Sequence, residues 1–301
     1  MQRQKLIKRP EPITGVCTTR ILRTWKEALA LRDEYGFARD RWVFRGHRDA
    51  SWTIASSLER AKAGGGKLAA WRYEGVLLRE FSRRAHHYAS DVPKPQHVLE
   101  WFALMRHYGA PCRLVDFSYS FYIAAYFALQ DATPQSGLAA IWAVNTTWLH
   151  SVYRRLFPLD AKRLGKNFRF KSPKDFKRTF LSRSAPRMFV APANPYRLNE
   201  RVSAQQGVFL APGSIRKSFM ANLIPEGTQR SRDQVVRILL DPAMKTEAIR
   251  DLRRMNVTAA TLYPDLAGFA ISLKDWFHLP LNFDPRDLEM ALDGRLPGDH
   301  F

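Results

Sequence analysis

Hydrophobic positions along the chain follow two patterns, one with the helical period and one as short apolar runs. The helical pattern predicts helices over residues 24–35, 73–88, 96–108, 121–129 and 147–157. The short runs predict strands over residues 42–44, 51–58, 138–144, 208–211, 235–240 and 259–262. Because helices and strands interleave, we expect a mixed α/β (α+β) fold, a single large domain with a small central sheet flanked by helices.

Local signals mark a helix start and the limits of the domain. Thr24 and Glu27 have the S/T-x-x-E spacing of a capping box, which places a helix N-terminus there. We expect the domain to span residues 20–280, between a basic tail over 1–19 and a C-terminal tail over 281–301.

Composition narrows the class of protein. Apolar residues make up 46% of the 301-residue chain, which is enough for a sizeable core. No stretch approaches about eighteen consecutive apolar residues, so we expect neither a membrane span nor a membrane partner. The basic N-terminus has no apolar segment after it and predicts no signal peptide. Cys17 and Cys112 lack metal or redox spacing, and no D-x-D motif is present, so we expect a cytoplasmic protein with free thiols and no metal.

The charge balance points to an anionic partner. Lys and Arg number 48 against 28 Asp and Glu, a formal net charge of +20. Such an excess attracts polyanions, and nucleic acid is the polyanion we expect, although a solubilising surface gives the same count.

Basic residues are concentrated at about 160–190, where phenylalanines stand between them. This pattern predicts either an exposed basic insertion or an ordinary basic surface helix. The phenylalanines could stack on bases, but their partly helical spacing also suits a core. The candidate nucleic-acid contacts here are Lys171, Lys174, Lys177 and Arg178.

The first motif that could bind a ligand is Arg45-Gly46, at the end of the strand predicted from Trp42. Glycine lets the backbone approach a ligand closely, and a neighbouring guanidinium can fork onto a phosphate. The structural alternative is a turn with an ion pair to Asp49.

The second motif, over residues 107–118, joins two predicted apolar helices, so its polar groups lie on a loop held by a rigid scaffold. His107 can act as a donor, an acceptor or an acid–base group near neutral pH. Arg113 and Asp116 are three residues apart and could pair with each other or with His107. The alternative is a structural ion pair that fixes the loop.

Two further blocks lie in the last third of the chain. Arg201, Gln205 and Gln206 precede an apolar strand, where amides can contact ribose hydroxyls or a base edge, or tie down loop backbone. The turn at Tyr263 is predicted to be structural, with Asp265 capping the next helix.

Together the four blocks resemble the FRG domain, a family named after its Phe/Tyr-Arg-Gly motif, here Phe44-Arg45-Gly46. The blocks stand in the family's order and the likeness extends over residues 20–275. Tyr263 stands where the family is expected to have phenylalanine. Membership implies a domain found in contexts that suggest bacterial defence or toxicity.

The aromatic-Arg-Gly motif is also similar to the first-strand Tyr-Arg-Gly motif of arginine-type ADP-ribosyltransferases, in which that arginine holds NAD. This resemblance implies NAD as a substrate. The candidate NAD-binding residues are Arg45, Gly46, Arg113 and Arg201. The candidate catalytic residues are His107 as acid–base, Asp116 as the carboxylate and Gln205 on the ribose. Gln206-Gly207 stands where a Glu-x-Glu or Gln-x-Glu motif would be expected, which is a departure from the transferases.

Two hypotheses about function follow. The first is an NAD-dependent ADP-ribosyltransferase-like effector or toxin in antiviral defence, which acts on nucleic acid or protein and is held in check by a neutralising protein partner. The second is a non-catalytic nucleotide- or nucleic-acid-binding module, in which the same arginines hold phosphates.

Overall fold

The computed structural model of the protein describes residues 17–37, 42–63, 70–164, 173–181, 187–225 and 233–278. Seven strands in these ranges form one sheet: β1 (Thr18–Leu22), β2 (Trp42–His47), β3 (Val115–Ser118), β4 (Ala139–Asn145), β5 (Val190–Ala193), β6 (Gly207–Pro212) and β7 (Val235–Leu240). The strand order is β1-β7-β4-β2-β3-β6-β5. The pair β1–β7 is parallel and the other pairs are antiparallel.

Helices surround the sheet. Those in the described ranges are α1 (Trp25–Glu34), α2 (Ser57–Ala63), α3 (Ala70–Arg84), α4 (Val98–His107), α5 (Phe121–Leu129), α6 (Thr146–Leu156), α7 (Pro158–Leu164), α8 (Pro173–Phe176), α9 (Glu200–Ala204), α10 (Phe219–Leu223), α11 (Lys245–Arg254), α12 (Ala259–Leu262) and α13 (Leu266–Ser272). Side-chain caps set several of their starts: Thr24 accepts from the amide of Glu27 before α1, and Ser120 accepts from the amide of Ile123 before α5.

The prediction of a mixed α/β fold is confirmed, with a larger sheet than expected. The strands predicted at 42–44, 138–144, 208–211 and 235–240 correspond to β2, β4, β6 and β7. The short strands β1, β3 and β5, of four or five residues each, were not predicted.

Two predicted strands are wrong. Residues 51–56 form an irregular segment, residues 57–58 begin α2, and residues 259–262 form α12. The second error has a local cause, because the hydroxyl of Thr258 accepts a hydrogen bond from the amide of Thr261 and caps a helix. A short apolar run by itself does not distinguish a strand from a buried helical turn.

The two faces of the sheet are covered by different helices. On one face, Ile141 and Ile238 pack with Tyr126 of α5, in a core that α1 and α11 complete. On the other face, Trp142 packs with Leu149 of α6 and Phe219 of α10. Both faces are therefore shielded from water, which explains why the inner strands read as continuous apolar runs.

The sheet is nearly divided between β2 and β3. Six residue pairs join β2 to β4, whereas a single pair, Phe44 with Ser118, joins β2 to β3. Beyond that pair, toward Gly46 and Asp116, the backbone ladder between β2 and β3 ends. The strands part there, and their side chains can face a cavity instead of a neighbouring strand.

Gly46 allows α5 to lie directly on β2. A Cβ atom on this residue would come within 2.1 Å of the carbonyl oxygen of Ala124 and 2.6 Å of the amide nitrogen of Ala128. Both are backbone atoms of a buried helix and cannot move aside as the end of a side chain could. The close approach that we expected Gly46 to provide is therefore to α5, not only to a ligand.

No helix in the described part of the chain has the length and apolar character needed to cross a bilayer.

We predict that Gly46→Ala destabilises the protein by at least about 1–3 kcal/mol, because α5 must shift away from β2. Urea unfolding followed by far-UV circular dichroism measures this difference. Gly75→Ala is the matched control, because a Cβ atom at Gly75 would meet nothing within 4 Å on the exposed side of α3. That change should be neutral or should stabilise the helix by about 0.5–1 kcal/mol. Equal effects of the two substitutions would contradict the packing role of Gly46.

Candidate functional site

A cavity of about 840 Å³ opens where β2 and β3 part. Its walls come from β2 and the loop after it, α2, α4, β3, α5, α9 and the turn after α12. All four blocks singled out in the sequence contribute to it, through Arg45, Gly46, His107, Asp116, Arg201, Gln205 and Tyr263. The fold thus brings together six of the seven predicted catalytic and NAD-binding residues.

Arg45 is the residue that bridges the two halves of the sheet. One terminal nitrogen of its guanidinium donates to the carbonyl oxygen of Asp116 at 2.7 Å, across the gap where the β2–β3 ladder has ended. The Nε–H group donates to Nε2 of His47 at 2.9 Å. Burial, together with the positive charge of Arg106, lowers the pKa of Arg45 to about 10, although Asp116 opposes the shift. Arg45 therefore stays charged at neutral pH.

His47 is a neutral link between Arg45 and the loop after β2. Because Nε2 accepts from Arg45, the ring proton is on Nδ1, which faces the carbonyl oxygen of Trp52 at 3.4 Å. Burial and the charge of Arg45 lower the pKa of His47 to about 3. The imidazole therefore accepts a hydrogen bond from Arg45, has its N–H group directed at the carbonyl oxygen of Trp52, and carries no charge at neutral pH.

Asp116 is the carboxylate at the centre of the cavity. Nε of Arg106 donates to its Oδ2 at 2.7 Å, a second Arg106 nitrogen also contacts Oδ2, and Arg45 lies 3.8 Å away. Burial by itself would raise the pKa of this carboxyl group, but Arg106, Arg45 and Arg201 outweigh burial and lower it. About 41% of the side chain remains accessible from the cavity. Asp116 is thus ionised at neutral pH and directly contacted by Arg106.

The remaining block residues form the opposite wall. The guanidinium of Arg201 lies 4.5 Å from the ring centroid of Tyr263. Nε2 of Gln205 donates to the carbonyl oxygen of Leu262 at 3.0 Å, so this amide ties α9 to α12, as the structural alternative predicted. Burial and then the charge of Arg201 lower the pKa of His107, which is neutral at pH 7.

Three arginines of the cavity have no carboxylate partner among the described residues. Arg60 donates to the carbonyl oxygen of Ala55 at 2.7 Å, and Arg48 lies over the ring of Trp52. Arg201 contacts Tyr263, as described above. With Arg45 and Arg106 they make five arginines around the cavity, against two aspartates, Asp116 and Asp131. The cavity therefore has a net positive charge and free guanidinium groups, an arrangement suited to an anion.

Comparison with known families finds a likeness for one segment of the chain. Residues 40–137 match the FRG domain. This FRG segment runs from just before β2 to just before β4, and it contains Arg45, Arg106 and Asp116. No curated protein and no solved structure matches the chain. The likeness to arginine-type ADP-ribosyltransferases stays a prediction.

The cavity extends beyond the FRG segment. Arg201, Gln205 and Tyr263 lie outside residues 40–137, yet they line the same space as Arg45 and Asp116. The later two blocks of the sequence therefore contribute to one site with the matched segment, through the strand pairing of β3 with β6.

Arg113 does not line the cavity, which corrects its predicted role as a phosphate clamp. Its guanidinium is 3% exposed and forms a two-point contact with the carboxylate of Glu74 on α3, with Nε at 2.7 Å. A further nitrogen donates to the carbonyl oxygen of Phe180 at 3.0 Å. Neither Arg113 nor these partners line the cavity. Arg113 joins α3 to the sheet. For this residue the structure shows the alternative given for the second motif, a structural ion pair.

The basic segment around α8 is only partly described. Lys174 and Lys177 are exposed, Arg178 pairs with Asp160 at 3.0 Å, and Lys171 lies outside the described residues. Phe176 and Phe180 are 1% and 5% exposed and pack in the core, so neither is available to stack on a base. The described part of this segment is an amphipathic surface helix with two free lysines, and it is remote from the cavity lining.

Four cavity residues were missed in the sequence. Arg60 stands on α2, a helix that was not predicted, and Arg106 precedes His107 on α4. Arg48 lies just after the Arg45-Gly46 motif, and Trp52 lies in the segment 51–58, which was predicted to be a strand. The adjacency of Arg48 and Arg106 to predicted site residues was a usable signal, whereas Arg60 had none.

A second cavity, of about 530 Å³, lies between α3 and α4. Its lining is almost wholly apolar, with Leu77, Phe81, Leu104 and Met105 among its walls. It lacks the convergent polar groups that fix a ligand's orientation, so the cavity at the β2–β3 junction is the candidate functional site.

The buried pair of Glu74 and Arg113 predicts a stability effect without a binding effect. Glu74→Gln should destabilise the protein by about 3–5 kcal/mol, because it leaves the guanidinium buried without its counter-charge. Thermal and urea unfolding measure the loss. Asp91→Asn is the control, because Asp91 and Arg197 form an exposed pair and should contribute no measurable stability. A Glu74→Gln protein as stable as the parent would contradict the assigned role.

The environment of His47 predicts a pH dependence of stability. Its folded pKa is lower than the unfolded value of about 6.5, so the unfolded state takes up a proton first as the pH falls. Stability contributed by the neutral ring is present above pH ~6.5 and is lost as the pH falls toward about 3. His47→Gln should therefore show a flatter free energy of unfolding between pH ~7 and ~4.5 in urea titrations. His86→Gln, at an exposed histidine, should leave the slope unchanged, and identical slopes for His47→Gln and the parent would reject this account.

Proposed function

We propose that the cavity at the β2–β3 junction binds a nucleotide through its phosphate groups. The observation that carries the proposal is the presence of three guanidinium groups in the cavity, those of Arg48, Arg60 and Arg201, without carboxylate partners in the described ranges. An arginine fork matches phosphate oxygens in geometry and gains from a partly desolvated setting.

Two of the five cavity arginines are held in place by other side chains. Arg45 and Arg106 are held by His47 and Asp116, so their positions are fixed before a ligand arrives. Because these two side chains are already ordered, less conformational entropy is lost when a ligand binds, which is the benefit of a preorganised site. The ionised carboxylate of Asp116 also makes one side of the cavity unfavourable for phosphate, which would direct the phosphates toward Arg60 and Arg201.

Size and aromatic surface favour a nucleotide over inorganic phosphate. A cavity of about 840 Å³ is in the range that encloses drug-sized or cofactor-sized ligands. Trp52 is 45% exposed in its wall, and Tyr263 lines the other side. An aromatic face next to guanidinium groups is a suitable platform for a base beside its phosphates.

NAD cleavage with ADP-ribosyl transfer is the second candidate function, and the ionised carboxylate of Asp116 favours it. Breaking the bond between the ribose C1′ and nicotinamide releases nicotinamide and develops positive charge on the ribose. A carboxylate that stays ionised can stabilise this charge, with Gln205 or the neutral His107 near the ribose. The acceptor would be a nucleic acid or a protein, as expected of a defence effector, and a neutralising partner would cover the cavity mouth. Lys174 and Lys177 would add an electrostatic contact to a nucleic-acid acceptor.

Isothermal titration calorimetry with ADP, ADP-ribose and NAD tests the proposal. We expect Arg60→Ala and Arg201→Ala each to weaken binding about tenfold to a hundredfold, the range for a hydrogen bond to a charged group. Arg216→Ala is the matched control, because it removes the same charge from an exposed loop outside the cavity. Nicotinamide released from NAD, measured on the same samples, separates binding from cleavage.

The outcomes are distinct. Nucleotide affinity that depends on Arg60 and Arg201 with intact NAD supports the binding module alone. Nicotinamide release that is lost in Asp116→Asn supports the transferase. Affinity that falls equally in Arg216→Ala would show that net charge, not this cavity, attracts the nucleotide and would reject the proposal.

A further inference from the structure

A buried arginine lies in the sheet, two strands away from β2 and outside the cavity lining. Arg237 is in the middle of β7 and is 2% exposed. Its direct neighbour across the antiparallel ladder is Trp142 on β4, which is 0% exposed. The guanidinium carbon of Arg237 lies 5.5 Å from the centroid of the Trp142 ring. Neither residue lines the cavity at the β2–β3 junction, although Trp142 is the cross-strand neighbour of Arg45.

The polar groups of this pair are incompletely satisfied. A terminal nitrogen of Arg237 donates to the carbonyl oxygen of Ala50, on the loop that follows β2. Among the residues that the structure describes, neither the Nε–H group of Arg237 nor the indole N–H group of Trp142 has a hydrogen-bond acceptor. Within the described ranges, no carboxylate forms an ion pair with Arg237. Two neighbouring buried donors and one buried positive charge thus lack a negative partner.

Such an arrangement is costly unless something else compensates it. A buried donor without an acceptor costs about 1–3 kcal/mol, and an uncompensated buried charge costs several kcal/mol in proteins. A cation–π contact of a desolvated guanidinium offsets about 2 kcal/mol of this cost. Two titratable groups interact with Arg237, Cys17 and His47. Burial raises the pKa of the Cys17 thiol and lowers the pKa of the His47 imidazole, so both are neutral and neither supplies a counter-charge.

We propose that Arg237 and Trp142 form a binding site for a small monovalent anion, with chloride as the physiological occupant. A halide accepts several N–H groups at once and neutralises the guanidinium, so it satisfies the Nε–H of Arg237, the indole N–H of Trp142 and the buried charge together. A water molecule would accept the same hydrogen bonds but would leave the charge uncompensated. The anion would also secure the guanidinium that holds Ala50, and through it the loop that carries Arg48 and Trp52.

Thermal unfolding at constant ionic strength tests the site. Sodium gluconate is replaced stepwise by sodium chloride or bromide in the full-length protein, because gluconate is too large for a buried site. A ligand that binds only the folded state raises Tm with concentration, and we expect a saturable rise of about 2–4 °C. Arg237→Met should abolish the rise, and Trp142→Phe should weaken it, because phenylalanine keeps the ring and removes the donor.

Arg253→Met provides the matched control, because Arg253 also lies over a tryptophan, Trp276, but is half-exposed. It should keep the full halide dependence. Anomalous diffraction from crystals grown in bromide gives a second readout that does not depend on any variant, with a peak expected beside Nε of Arg237. A halide dependence that survives both Arg237→Met and Trp142→Phe, or bromide crystals with no peak at Arg237, would overturn the proposal.

Discussion

The contact of Arg45 with the backbone of Asp116 is the interaction on which the site depends. The sheet is joined between β2 and β3 by one residue pair, and Arg45 makes the next connection with its side chain instead of the backbone. A ladder that continued would have closed the gap and left no cavity. Because the ladder stops, the inward-facing residues of both strands are exposed to the same space, while the guanidinium holds the strand positions.

A chain of contacts extends the effect of Arg45 in both directions. His47 connects Arg45 to the carbonyl oxygen of Trp52, and Asp116 connects it to Arg106 on α4. Burial and then the charge of Arg45 lower the pKa of His47 and keep it neutral, whereas the charges of Arg106, Arg45 and Arg201 lower the pKa of Asp116 against the effect of burial. The electrostatics of the cavity therefore act as a unit, and substitutions at these residues are not expected to be additive.

The Arg-Gly motif thus has two separate physical roles. Arg45 reaches across the gap to β3 with its guanidinium, whereas Gly46, which also lines the cavity, lets α5 pack against β2 because it has no Cβ. Arg113 is close to Asp116 in sequence, but it is buried against Glu74 and does not line the cavity.

The sequence by itself determined the α/β class, the four longest inner strands, the helix cap at Thr24, and the blocks that meet at the cavity, because these depend on local periodicity and side-chain chemistry. The short strands, the helix over residues 259–262 and the partners of each charged group were decided by the tertiary structure. Glu74 with Arg113, Arg60 with the cavity, and Arg237 with Trp142 are pairings between distant positions that strand register and helix packing create. A guanidinium has the same local sequence signal whether it binds a buried carboxylate, faces a ligand or lies unpaired in the core, so only its surroundings in the folded chain distinguish these roles.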